Sequence, residues 1–294
     1  MDAEDIAHFK KAGEIAKQVF PYAIELAKPG VKLLEIAEKI EARIVELGGK
    51  PAFPVNLSMN DIAAHYTPSH EDAGIAGGLL KVDFGVHIEG CLADGAVSVD
   101  LENSEENKKL IEASKRALEQ ALALVKKDVA LTDIGKIIQD TIVAAKFSPI
   151  GNLSGHEILP YMIHAGLTIP NVANGNTFRL DEGVYAIEPF ATTGAGYVYE
   201  GKPSGIYQMK QKKPVRDPVA REMILFIEEE YEILPFCSRW LVKKFGARAL
   251  FALQGMEQQG IVYQYPQLIE KNHGKVSQAE RTILITKDGV EVLN

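Results

Sequence analysis

Apolar positions recur at helical spacing near the start of the chain, at Ile6, Phe9, Ala12, Ile15, Ala16 and Val19, and predict an amphipathic helix over residues 3–28. Pro21 lies inside it. Its ring removes a donor and crowds the preceding turn, so a kink or a split is expected there. A second helical stripe runs through Leu33, Ile36, Ala37 and Ile40 and stops at Gly48-Gly49. Residues 51–68 are rich in Pro and Asn and predict an ordered loop with at most one short strand. The pattern then switches to strand. Residues 81–100 (KVDFGVHIEGCLADGAVSVD) predict a β-hairpin turning at Glu89-Gly90. Helices follow over about 104–127 and 132–146, the second with Thr132 as N-cap. Next come a loop at 150–166, a strand at 183–191, a largely helical region at 215–260 and a last strand at 278–286. Strands and helices without regular βαβ alternation predict an α+β fold.

The chain has 294 residues, enough for one large domain or two modest ones, and its hydrophobic (46%) and charged (24%) fractions argue against extensive disorder. A formal net charge of -8 argues against a protein that coats nucleic acid. The basic run 210–216 (KQKKPVR) breaks that balance and reads as a solvated loop. Two cysteines, Cys91 and Cys237, are too few for a disulfide framework; Cys91 reads as a small buried hydrophobe. The first residues lack a signal-peptide core, and no apolar run is long enough to span a bilayer. A soluble, cytoplasmic protein is expected.

The acids give the first chemical clue. Asp83 and Asp94 each interrupt an apolar strand, where a carboxylate without a partner is costly. With the turn at Glu89-Gly90, Asp83 faces Ala96 and Asp94 faces Gly85, which puts the two acids on one face as diagonal neighbours. A cation between them would offset their repulsion; a strand with two solvent-facing acids is the alternative. Glu188 in VYAIEPF, Glu280 at the start of the last strand and His156 beside a glycine in NLSGHEI extend the candidate set. Each alone reads as an edge or surface residue. His65 and His164 are candidates to donate to a carbonyl or an oxyanion, or else are ordinary histidines. His8, His70, His87 and His273 read as surface residues. No Gly-x-Ser-x-Gly, Walker or Rossmann pattern is present.

The segments GGKPAFPVNLSMNDIAAHYTP, KVDFGVHIEGCLADGAVSV, NLSGHEI, IHAGLTIPN, EGVYAIEPFAT and LPFCSRWL, in that order, resemble the type II methionine aminopeptidases, in particular the archaeal form. The resemblance runs essentially from end to end. It implies the pita-bread (creatinase/aminopeptidase) fold, an α+β sandwich of two pseudo-twofold halves. Residues 1–294 would form one catalytic domain, with a helical insert over 195–271 and returning strands over 272–294. It implies two divalent ions (Co, Mn, Fe or Zn) held by Asp83, Asp94, His156, Glu188 and Glu280. It also implies catalytic roles for His65, His164 and Glu188, with substrate contacts from His65, His164 and Phe53.

The implied activity is removal of the initiator methionine from nascent proteins whose second residue is small. The implied partners are nascent polypeptide N-termini and a transient ribosome contact, without a membrane or a specific nucleic acid, and the chain would be a monomer. Two departures stand out: Ala279-Glu280-Arg281-Thr282 where the family has Glu-His-Thr preceded by an aromatic, and Gly95 where Thr is common. The rival readings are a proline-directed aminopeptidase of the same fold and a catalytically silent scaffold that binds ribosome or RNA.

Overall fold

The computed structural model describes residues 1–294. Helix α1 (Ala3–Leu26) begins at Asp2, whose carboxylate accepts from the Glu4 and Asp5 amides. It runs through Pro21 without the expected split. The ring removes one intrahelical hydrogen bond, and burial of Val19, Phe20 and Ala23 around it offsets that loss. Helix α2 (Leu33–Glu46) buries Leu33, Ile36, Ala37, Ile40 and Ile44. The expected loop at 51–68 instead contributes β1 (Lys50–Pro51), β2 (Asn56–Met59) and β3 (Ile62–Ala64). Strands β1 and β2 pair with a strand much later in the chain, a partnership that local pattern does not reveal.

That partner is β4 (Leu79–Ile88), which forms the expected hairpin with β5 (Cys91–Asp100). Glu89 and Gly90 both have positive φ, 46° and 81°, as a two-residue turn of this hand requires. Helix α3 (Glu105–Leu124) is capped by Ser104. Helix α4 (Leu131–Ala144) starts one residue before Thr132, so Thr132 is not its N-cap; its hydroxyl accepts from the Gly175 amide instead. Strand β7 (Ser154–Ile158) falls within the loop expected at 150–166, and β6 (Ser148–Pro149) and β8 (Thr168–Pro170) flank it. The strand expected at 183–191 is two, β9 (Gly183–Ile187) and β10 (Phe190–Thr192), broken at Glu188-Pro189 where proline cannot donate to the ladder.

A long strand β11 (Val198–Met209) then leaves the two halves. Helix α5 (Pro218–Glu230), strand β12 (Phe236–Cys237), helix α6 (Ser238–Phe245) and helix α7 (Arg248–Gln258) follow, and β13 (Val262–Glu270) returns antiparallel to β11. Their own core includes Met223, Ile227, Phe236, Leu253 and Met256. The basic run 210–216 links β11 to α5 and is exposed except at Val215. The chain closes with β14 (Val276–Gln278), β15 (Arg281–Thr286) and β16 (Gly289–Val292).

Three sheets back onto two helix pairs. Strands β1, β2, β4 and β5 pack on α1 and α2, while the sheet β16-β15-β9-β7-β8 and the sheet β14-β10-β6 pack on α3 and α4. The fourth sheet, β12-β11-β13-β3, ties the inserted segment to the loop ahead of β4. A buried ion pair strengthens this tie. Arg239 of α6 donates to both Glu41 oxygens at 2.7 and 2.8 Å and to the Pro68 carbonyl, and Trp240 donates to Glu41 at 2.9 Å. A lysine keeps the charge but not the fork, so Arg239→Lys is expected to cost about 2 kcal/mol of stability. A urea midpoint equal to that of the parent chain would refute it.

Candidate metal centre

The hairpin register puts Asp83 opposite Ala96 and Asp94 opposite Gly85, the pairing the sequence predicts. The other candidates reach the same place by different routes. His156 is on strand β7, not in a loop, paired with Ala186 and Thr168. A Cβ on the preceding Gly155 would land on the Ala186 carbonyl oxygen, so only glycine lets β7 approach β9 here. Glu188 sits in the break between β9 and β10, and Glu280 in the matching break between β14 and β15. Since β9 pairs with β15 and β10 with β14, the two interruptions lie side by side. The Glu280 amide donates to the Ala96 carbonyl at 3.1 Å, tying this break to the hairpin.

Asp94, His156 and Glu280 offer ligand atoms that all lie within 4.8 Å of one another, and all three are buried. His156 Nε2 is 3.5 Å from Asp94 and 3.7 Å from Glu188. Asp83 and Glu188 line the same cleft, of about 440 Å³, along with Phe53, His65 and His164. All the candidate residues therefore face one cavity, three of them as a tight cluster.

Such crowding has a large electrostatic cost. Burial pushes the Asp94 carboxyl up to about 7. Burial first, then the Asp94 charge, raises Asp83, Glu188 and Glu280 well above the usual carboxylate range. Burial lowers His156 to about 4, so its ring is neutral near pH 7 and free to ligate. Asp83 Oδ1 and Asp94 Oδ1 are buried with no hydrogen-bond partner. Hard oxygen donors left unpartnered beside a neutral imidazole fit divalent cations.

The cleft wall carries the remaining histidines. The ring of His164, exposed to the cleft, meets His156 edge-on at 4.5 Å between centroids. Burial, then His156, His65 and Lys210, lowers it to about 3. His65 adopts φ 63°, a left-handed conformation uncommon outside glycine. It stacks edge-on with Tyr265, and its Nδ1 is 3.2 Å from the Pro266 carbonyl. Burial lowers its pKa, too. His87, expected at the surface, is buried on β4, where its Nδ1 accepts from the Gly90 amide and helps close the hairpin turn.

Sequence reading missed several neighbours. Gln278 donates to Glu280 at 3.2 Å, and Asn56 lies opposite Asp83 across β2 and β4. Gln278 is two residues before Glu280, a spacing that places strand side chains on one face; Asn56 had no such signal. The two departures from the family pattern meet at one side chain. Arg281 lies over the Phe20 ring at 4.2 Å, and a Cβ at Gly95 would come within 2.6 Å of the same ring.

The fold and site define a metal-dependent hydrolase with an α+β pita-bread architecture and a helical insert. The chain matches the model of metallopeptidase family M24 over residues 7–287 and belongs to that family. Within it, the chain groups with the archaeal type II methionine aminopeptidases. It is 48% identical to the methionine aminopeptidase of Pyrococcus abyssi over 98% of this chain and 99% of that protein. It is 44% identical to the one from Methanocaldococcus jannaschii over 99% of each. Among solved structures, a thermophilic Arx1 matches 100% of this chain and 91% of its own (TM-score 0.85, 17% identity). A methionine aminopeptidase from Thermotoga maritima matches 100% and 97% (TM-score 0.72, 21% identity). These structural likenesses speak to the fold. No helix is long and apolar enough to cross a membrane.

Proposed function

We infer that the chain removes the initiator methionine from nascent polypeptides whose second residue is small. It is a metal-dependent methionine aminopeptidase. The observation that carries this reading is the floor of the cleft, where two buried and two partly buried carboxylates converge with a neutral imidazole and leave two acid oxygens unpartnered. A scaffold without a metal would leave these acids repelling one another, a standing cost with no return.

In this reading Asp83, Asp94, His156, Glu188 and Glu280 would hold two divalent ions, drawn from Co, Mn, Fe and Zn. When bound, such ions lower the pKa of water so that hydroxide is present near neutral pH. Glu188 is placed to take a proton from the attacking water and return it to the leaving amine: its side chain is about 13% exposed, against 4–5% for Asp94 and His156. Burial, then the Asp94 and Asp83 charges, raises the Glu188 carboxyl, which makes its ionised form a stronger proton acceptor. His164 donates to the scissile carbonyl and its developing charge, and the pKa shift that keeps its ring neutral leaves one N–H for that role. His65, whose single N–H at Nδ1 goes to the Pro266 carbonyl, contacts the substrate through Nε2 as an acceptor. Phe53 supplies an apolar wall for the methionine side chain. We assign residues 1–294 to one catalytic domain, with 195–271 as the insert and 272–294 as the returning strands.

The test is an assay of peptides beginning Met-Ala and Met-Lys, with Mn, Fe, Co and Zn in turn. Release of methionine from Met-Ala, much slower from Met-Lys, is expected with at least one ion. No release with any ion would defeat the reading.

A further inference from the structure

We propose that Asn294 is a positioning residue for the metal centre, in a place that only a glycine at position 95 leaves open; the assignment rests on the metal-dependent reading above. The side chain is buried, with both ends of its amide committed. Its Nδ2 donates to the Asp94 carbonyl at 2.6 Å, and its Oδ1 accepts from the Thr282 amide at 2.8 Å. Thr282 completes the link. Its hydroxyl accepts from the Asp94 amide and donates to the Asp94 carbonyl, each at 2.8 Å.

These four bonds bind the main chain of Asp94 to strand β15, two residues beyond Glu280. Asp94 and Glu280 otherwise come from strands far apart in sequence. On the other side of Glu280, its own amide donates to the Ala96 carbonyl and the Ser98 hydroxyl bridges the Gln278 amide and carbonyl, so the Asn294–Thr282 network is the part of the tie that acts at Asp94 itself. A relative slide of a few tenths of an ångström would change the gap between their carboxylates, which sit within 4.8 Å as ligand atoms. Groups behind a ligand that fix its orientation alter metal affinity even though they never touch the ion.

Gly95 belongs to the same device. A Cβ there would meet Asn294 Nδ2 at 2.7 Å and the Phe20 ring at 2.6 Å. A side chain at 95 and an amide at this spot exclude each other, so the glycine and the asparagine form one arrangement. Asn294 reaches the place because the Leu293 amide donates to the Thr282 carbonyl at 2.9 Å, holding the preceding residue alongside β15.

The test is calorimetric titration of the full chain with Mn²⁺, alongside urea unfolding of the metal-free protein. Asn294→Asp keeps the shape but places an acceptor against the Asp94 carbonyl, and Asn294→Ala removes both bonds. Each is expected to weaken Mn²⁺ binding by about 10-fold or more. Thr282→Val should weaken it similarly, and the double variant less than additively, since the three residues share one network. Unchanged Mn²⁺ affinity in Asn294→Asp would overturn the assignment, whether or not urea stability falls. If the parent chain takes up none of Mn²⁺, Fe²⁺, Co²⁺ and Zn²⁺ when each is titrated in turn, the proposed function fails and takes this assignment with it; if the parent binds an ion and the variants bind it equally well, this assignment fails alone.

Discussion

Glu188→Gln is expected to lower kcat by about 10²–10⁴-fold, the range lost when a positioned general base is removed, while KM changes little. The substitution keeps size and one oxygen donor but cannot accept a proton. The site explains why this acid, rather than its neighbours, is assigned the role. Asp94 and Glu280 are buried, and Gln278 donates to Glu280, whereas Glu188, in the break beside that of Glu280, is the more exposed acid of the three. The check is single-turnover release of methionine from a Met-Ala peptide at matched metal content. Activity within tenfold of the parent, with metal retained, would move the base elsewhere.

Much of this centre was legible in the chain, for identifiable reasons. Asp83 and Asp94 could be paired because a hairpin is local: two residues of turn fix the register, and register fixes which side chains share a face. His156, Glu188 and Glu280 could be named by resemblance, but no spacing brings them together, because the pairings β7 with β9 and β9 with β15 are non-local. The strand breaks at Glu188 and Glu280 were read through as continuous strands, since apolar residues flank both sides. Asn294 gave no signal at all. Its partners are 12 and 200 positions away, and an asparagine near a terminal strand reads as an ordinary polar residue. His87 was misplaced for a related reason: a histidine in a hairpin strand reads as solvated until the turn that it bonds is seen in space.

Metal binding should strengthen steeply with pH, about 10–100-fold per unit between pH 6 and 7.5, corresponding to one or two protons released. The sign follows from which groups carry protons before the ions arrive. Asp94, pushed up to about 7, is largely protonated at pH 6, and Asp83, Glu188 and Glu280 are raised well above their ordinary range. Ions require these acids deprotonated, so every proton displaced makes affinity rise as pH rises through the shifted values. His156 works differently. Its pKa, lowered to about 4, leaves the ring already neutral across this window, so it contributes no slope. The steepness therefore reports the carboxylates and any proton lost from bound water, and not the imidazole. Titrating Mn²⁺ in two buffers of different ionisation enthalpy counts the released protons directly. An affinity that is flat from pH 6 to 7.5, with no buffer dependence, would mean that the acids are ionised without metal and that the crowded centre described above is relieved in some other way.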